Sequence, residues 1–230
     1  MPRFVARYYW EKDKPPGYQN LASGYQLLDQ HPLFHKLDGV VWSKTSHLNA
    51  KGSIACVSKD GNVYVNEKAK ISPQQWCYIL AYNLLHLAFG HFDRDKISSE
   101  LEYIPTLWNK ACDIYITRFL YDIRLGEPIC EDPAELYAIK LNDERKIYEY
   151  LLGQQDSGIQ QYGTNSEKLK DMIGVESPKF YKNGAKNEYV ETFSYAITHS
   201  IKSAISNAGG YELTPQKDTI VAHAAAWFLT

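Results

Sequence analysis

One helix is specified more strongly by this sequence than any other element. Ser72 is a good N-cap, Pro73 occupies the first helical position, and Gln75 completes the S-x-x-Q pattern of a capping box. Gly90 stands where a glycine commonly ends a helix. The pattern predicts a helix over residues 72–90, and its broad apolar face consists of Trp76, Ile79, Leu80, Leu84, Leu87 and Ala88.

The remaining segments predict an α+β fold that is mostly helical. Apolar periodicity indicates helices over residues 17–37 and 107–125, and one or two helices within 133–152. Two short β-rich runs, 51–57 and 62–66, flank an Asp-Gly pair that is typical of a hairpin. We expect a core over residues 1–153, a mobile polar excursion over 154–188 with a short helix near 166–173, and C-terminal helices over 189–230 that pack on the core.

Composition narrows the function classes. A chain of 230 residues can bury a sizeable core, and a formal net charge of −2 offers no electrostatic reason to bind nucleic acid or an anionic membrane. The N-terminus lacks a signal-peptide pattern, and no apolar run approaches about 18 residues. We therefore expect a cytoplasmic protein with neither a nucleic-acid nor a membrane partner. Its cysteines lack zinc-ribbon spacing and fit buried thiols in a reducing compartment: Cys56, Cys77, Cys112 and Cys130.

Polar residues interrupt two of the apolar helices. On the 72–90 helix, Tyr82, Asn83 and His86 are spaced to face the same space, and His91 can turn back towards it after the helix ends. On the 107–125 helix, Asn109 and Asp113 are four residues apart. A polar pair on an otherwise apolar helix is what a metal site or a buried hydrogen-bond network requires.

The order of these pieces resembles a family of bacterial metallopeptidases whose domain often precedes a von Willebrand factor A-like domain. The family pattern is roughly HExxHxxxxHxxR followed by WNxAxD, and residues 144–151 are also similar to a later family segment. The resemblance covers about residues 50–152 and implies a zincin-like helical core, with a small hairpin or sheet bordering a cleft. The matching residues are His86, His91, Arg94, Trp108, Asn109, Ala111 and Asp113.

The departures fall on the catalytic positions. Tyr82 replaces the first histidine ligand, and Asn83 replaces the glutamate base of the HExxH pattern. An asparagine cannot accept a proton at neutral pH, and loss of a general base typically costs about 10² to 10⁴ in rate. The resemblance then implies a degenerate site in a non-catalytic protein-binding or regulatory module. The partners it implies are a von Willebrand factor A-like protein or an AAA-type ATPase.

An active zinc-dependent hydrolase is the alternative. Its ligands would be His86, His91 and Asp113, and its base would be Glu67 or Asp93. The same side chains also fit plainer roles, because His86 can be a buried histidine bonded to Asp113, and His91 can be a histidine favoured at a helix C-terminus. Zinc is thus the expected cofactor, or none if the site is fully degenerate.

The sequence also suggests residues that would bind a partner around the cleft. These are Asn66, Arg94 and Asn109. The strand at residues 62–66 would border the cleft with an exposed edge, to which an extended peptide could add.

Overall fold

A mostly helical α+β fold is seen in the computed structural model, which describes residues 18–31, 33–34, 41–43, 54–59, 62–66, 69–129, 141, 143–153 and 172–173. A 3-10 turn over Arg94–Lys96 follows the helix Pro73–Ala88. Within the described ranges, no helix combines the length and apolarity needed to cross a membrane. The helices are α1 (Tyr18–Asp29), α2 (Pro73–Ala88), α3 (Pro105–Asp122) and α4 (Glu144–Gly153). The strands are β1 (Val41–Ser43), β2 (Ala55–Ser58), β3 (Asn62–Val65) and β4 (Met172–Ile173).

The four strands form one mixed sheet in the order β1-β3-β2-β4. β2 and β3 pair antiparallel, with Ala55 opposite Val65, so the predicted hairpin is confirmed; its Asp-Gly turn lies outside the described residues. β1 runs parallel to β3 and β4 runs parallel to β2. The expectation of an exposed edge at residues 62–66 is wrong, because β3 is paired on both sides.

The predicted start of α2 is confirmed atom by atom. The Ser72 hydroxyl accepts the Gln75 amide at 3.1 Å, and the Gln75 side chain accepts the Ser72 amide at 2.9 Å. Every residue from 76 to 88 is buried. A helix covered on all sides in this way runs through the interior of a fold, so the polar side chains between residues 76 and 88 are sealed from solvent whichever way they face.

The neighbouring helices cover α2 closely. Gly24 of α1 lies so near α2 that a Cβ atom built on it would sit 2.4 Å from the Cβ of Trp76. α3 packs against α2 and α4 packs against α3. The buried Tyr148 of α4 holds the segment before α3, because its hydroxyl donates to the Glu102 carbonyl at 2.5 Å and accepts the Ile104 amide at 2.9 Å.

Some predicted boundaries differ from the structure. Met172 and Ile173, assigned from the sequence to a short helix near 166–173, instead form β4, and Met172 is buried in the core. Neither β1 nor the 3-10 turn was expected. Within the predicted helical segment 133–152, residues 144–152 are confirmed as helical. The predicted C-terminal helices over 189–230 lie outside the described residues.

Candidate functional site

The turn that ends α2 brings two histidines together. Gly90 has φ of 66°, the left-handed conformation that glycine adopts readily. The Gly90 amide donates to the Leu87 carbonyl at 3.0 Å, and the His91 amide donates to the His86 carbonyl at 3.0 Å, which together form a Schellman motif. The chain therefore reverses, and the Nδ1 atoms of His86 and His91 lie 3.1 Å apart.

α3 supplies the acidic member of the cluster. Oδ1 of Asp113 lies 3.7 Å from Nε2 of His86, and Oδ2 accepts a hydrogen bond from the side-chain amide of Asn109 at 2.7 Å. The indole N–H of Trp108 donates to the His91 carbonyl at 2.9 Å. Trp108 thus ties α3 to the turn that ends α2, and Asn109 holds the carboxyl group of Asp113 beside His86. We call His86, His91, Asn109 and Asp113 the histidine cluster.

Aromatic rings surround this cluster. Tyr78, Tyr82 and His86 follow one another at four-residue intervals along α2, with ring centroids 6.3 Å and then 5.2 Å apart. The His91 ring lies 5.7 Å from Phe89 and 6.3 Å from Tyr115. The rings exclude water from the imidazoles and fix their orientation by edge-to-face packing.

Burial of the candidate site is complete. Tyr82, Asn83, His86, His91 and Asp113 are each 0 % exposed. Asn83, expected to share the space of His86, instead donates its side-chain amide to the Ile79 carbonyl one turn back on α2, at 2.8 Å. The side chain of Asn83 therefore bonds to its own helix.

The other candidate residues have their described contacts elsewhere. Asn66 follows β3, and its backbone amide donates to the Ile54 carbonyl at 2.7 Å. The guanidinium of Arg94 lies 4.5 Å from the centre of the Tyr103 ring. Asp93 caps the 3-10 turn by accepting the Asp95 amide at 3.0 Å. Glu67 lies outside the described residues.

Both histidines of the cluster are neutral at physiological pH. Burial lowers the pKa of His86 to about 3. The pKa of His91 is well below its usual value, first because of burial and then because of the nearby charges of His86 and Lys96. The charge of Lys96 acts from an ion pair with Glu144 of α4. That pair was missed by sequence reasoning, since no local pattern links two residues so far apart in the chain.

One hydrogen bond joins the two imidazoles of the cluster. A neutral imidazole has one N–H and one bare nitrogen, so one Nδ1 donates to the other, and which of them donates depends on the tautomers of the two rings. The 3.7 Å between Nε2 of His86 and Oδ1 of Asp113 is too long for a hydrogen bond. Within the part of the chain that the structure describes, Nε2 of His86, Nε2 of His91 and Oδ1 of Asp113 make no hydrogen bond. The cluster is thus a hydrogen-bonded histidine pair with the carboxyl group of Asp113 beside it.

This arrangement does not fit a conventional zinc site. Structural and catalytic zinc ions take at least three protein ligands about 2 Å from one point. His86 directs one ring nitrogen to His91 and the other to Asp113, so the three side chains do not converge. Among the described residues, no group of three or more His, Cys, Asp or Glu side chains is placed to hold a metal ion.

Acidification is expected to destabilise the protein through its buried histidines. Burial lowers the pKa of His31 to about 4 and of His86 to about 3, whereas the unfolded chain binds protons near 6.5. The stabilisation is therefore fully present above pH 6.5 and is lost as the pH falls through 5 towards these folded values, by about 1.4 kcal/mol per histidine and pH unit.

Urea unfolding followed at pH 7.5, 6.5 and 5.5 measures this effect. The urea midpoint should change little between pH 7.5 and 6.5 and fall between pH 6.5 and 5.5, and the fall should be smaller in His31→Asn, which removes one contribution. An unchanged midpoint at pH 5.5 would show that the histidines are not held neutral.

Comparison of this chain with models of protein families, with curated proteins and with solved structures found no match. The resemblance to metallopeptidases over residues 50–152 therefore stays a prediction from the sequence.

Proposed function

We propose that this chain is a metallopeptidase-like protein whose degenerate site no longer cuts peptides, and that it works as a protein-binding or regulatory module. The observation that carries this proposal is the complete burial of Tyr82, Asn83, His86, His91 and Asp113. A peptidase must bring a water molecule and a peptide carbonyl to its reacting centre, and a sealed interior excludes both.

The chemistry of position 83 supports the same conclusion. A general base must be able to take a proton from water and must lie within hydrogen-bond reach of it. Asn83 has no basic group, and its amide is bonded to the Ile79 carbonyl. The hydrolytic step therefore lacks a residue to activate its nucleophile.

The histidine cluster has a structural role in this proposal. It holds His86 against His91 and Asn109 against Asp113, while the indole of Trp108 on α3 donates to the His91 carbonyl after α2, and buried polar networks of this kind hold their elements in one arrangement. We infer a zincin-like scaffold that is kept as a rigid support for a binding surface. By resemblance, its partner is a von Willebrand factor A-like protein or an AAA-type ATPase in the cytoplasm, with no nucleic acid and no membrane involved.

One distance favours the alternative, a zinc hydrolase with a rearranged site. The 3.1 Å between Nδ1 of His86 and Nδ1 of His91 is close to the separation of about 3.4 Å between two nitrogen ligands of tetrahedral zinc. Asp113 would have to leave the far nitrogen of His86 to act as a third ligand. This need for rearrangement makes the hydrolase the second choice.

Metal analysis of the purified protein separates the two functions. We expect less than about a tenth of a zinc ion per chain, no cleavage of denatured casein, and a thermal midpoint unchanged by the chelator 1,10-phenanthroline. Stoichiometric zinc that disappears in His86→Ala but remains in His31→Ala would refute the proposal in favour of the hydrolase. His31 is the matched control because it is a histidine with a lowered pKa outside the cluster.

A further inference from the structure

Two helices of this protein end in the same turn but with different residues at its strained position. At the end of α3, the Arg124 amide donates to the Tyr121 carbonyl and the Leu125 amide donates to the Leu120 carbonyl, each at 3.1 Å. This is the Schellman pattern seen at Gly90 of α2. Here the left-handed position, with φ of 53°, is held by Arg124.

An arginine in this conformation is costly. A side chain in the left-handed region costs about 1–2 kcal/mol, whereas glycine adopts it freely. Such strain is concentrated at functional sites, where the side chain is needed despite the cost. Arg124 is exposed, and its guanidinium makes no hydrogen bond or ion pair within the described residues. Its place at the C-terminal end of α3 suits a positive charge, but no described carboxylate pairs with it.

Arg124 stands at a pocket. A cavity of about 440 Å³ lies between α2 and the end of α3, a volume typical of small ligand sites. Among the described residues, the rest of its lining is apolar or phenolic, and Tyr121 is 45 % exposed. We call it the α3 pocket, and its main lining residues are Tyr78, Leu120, Tyr121, Arg124, Leu125 and Pro128.

The loop that closes the α3 pocket is held against α2. Gly126 has φ of 70°, and a Cβ atom on it would lie 2.7 Å from both the Gln74 carbonyl oxygen and the Tyr78 nitrogen. The Glu127 amide donates to the Gln74 carbonyl at 3.1 Å, and its carboxylate accepts the Ser72 hydroxyl at 3.1 Å. The pocket is therefore preformed, and Glu127 is engaged with Ser72 at the start of α2.

We propose that the α3 pocket binds an acidic segment of a partner protein, with a carboxylate on Arg124 and a neighbouring aliphatic side chain against Leu120 and Tyr121. A guanidinium binds a carboxylate through two parallel hydrogen bonds, and the apolar walls accept an aliphatic chain. Arg124 is the one cation among the described lining residues, and one cation beside an apolar lining suits a carboxylated peptide better than the phosphate backbone of a nucleic acid, which is bound by many cations. This inference rests on the proposed protein-binding role and names the chemistry of the partner.

A matched pair of small peptides tests the α3 pocket. The probes are N-acetyl-leucyl-aspartyl-leucinamide and its asparaginyl counterpart, titrated into the ¹⁵N-labelled full chain at low salt. The aspartyl peptide should shift amide signals of residues 120–127 with a Kd near 1 mM, and the asparaginyl peptide should bind about tenfold more weakly.

Two arginine variants locate the charge. Arg124→Gly removes the guanidinium while supplying the residue that the turn prefers, so it should bind the aspartyl peptide about tenfold more weakly without losing thermal stability. Arg145→Gln, which removes an exposed arginine on α4, should bind like the wild type.

The proposal fails if no saturable shifts occur up to about 10 mM peptide, if both peptides bind equally, or if Arg124→Gly binds as well as the wild type. These failures are distinguishable from failure of the proposed function. If the protein is metal-free and inactive but does not bind the peptides, only the proposal for the α3 pocket is wrong. If the protein is a zinc-dependent peptidase and binds the peptides through Arg124, only the proposed non-catalytic role is wrong.

Discussion

Replacing Trp108 with alanine is expected to lower the free energy of unfolding by about 3–5 kcal/mol, the usual cost of removing a large buried aromatic side chain. Trp108 is 0 % exposed, and its ring packs edge-to-face on His91 and on Tyr148 of α4. Its indole N–H donates to the His91 carbonyl. The substitution therefore opens a cavity, and it also releases the turn that holds His91 against His86.

Urea denaturation monitored by circular dichroism measures this loss. Trp108→Phe is the matched control, because it keeps most of the packing but loses the hydrogen bond, and it should cost about 2 kcal/mol. An alanine variant that loses less than about 1 kcal/mol would contradict the position of Trp108 at the centre of the α2–α3 contact.

Under the proposed function, replacing Tyr82 with histidine and Asn83 with glutamate is expected to create a zinc site. Residues 82 and 86 lie one turn apart, and their rings are already in contact at 5.2 Å. A histidine at 82 would place a second imidazole beside His86, as in the HExxH pattern. We expect zinc affinity to rise from undetectable to micromolar or tighter, which corresponds to at least about 8 kcal/mol of binding free energy.

Zinc titration and the thermal midpoint report this gain independently of activity. The double variant should bind one zinc ion per chain and melt at a higher temperature when zinc is added. The single variant Asn83→Glu is the control, since it buries a carboxylate without a new histidine and should be less stable and free of zinc. A double variant that folds normally yet takes up no zinc would remove the main support for a zincin-like scaffold.

Much of the site was predictable because its signals are local. The positions of His86 and His91 followed from helical spacing and from a glycine at the end of α2. The facing pair Asn109 and Asp113 followed from a spacing of four residues on α3. The direction of the Asn83 side chain was not predictable, because a short amide can bond to its own helix as readily as to a neighbour.

The wrong expectations concern contacts between distant parts of the chain. The 62–66 strand was expected at an exposed edge, but β1 covers it, and β1 is too short to be read from a pattern. Residues 172 and 173 were assigned to a helix, but they form a strand that pairs with β2 in the sheet. Strand pairing of this kind depends on the partner strand, which periodicity within a segment does not reveal.

The amino-acid sequence alone determined α2. Its N-cap, its apolar face and the glycine that ends it are short-range features, so each can be recognised from residues that are close together in the chain. Only the tertiary structure decided that the polar side chains between residues 76 and 88 are sealed, that His86 bonds to His91 through Nδ1 with Asp113 beside its other nitrogen, and that Arg124 is held at a pocket in a strained conformation. The physical reason is that the burial and the hydrogen-bond partners of a side chain depend on which distant segments pack together, and that packing is set by the whole fold.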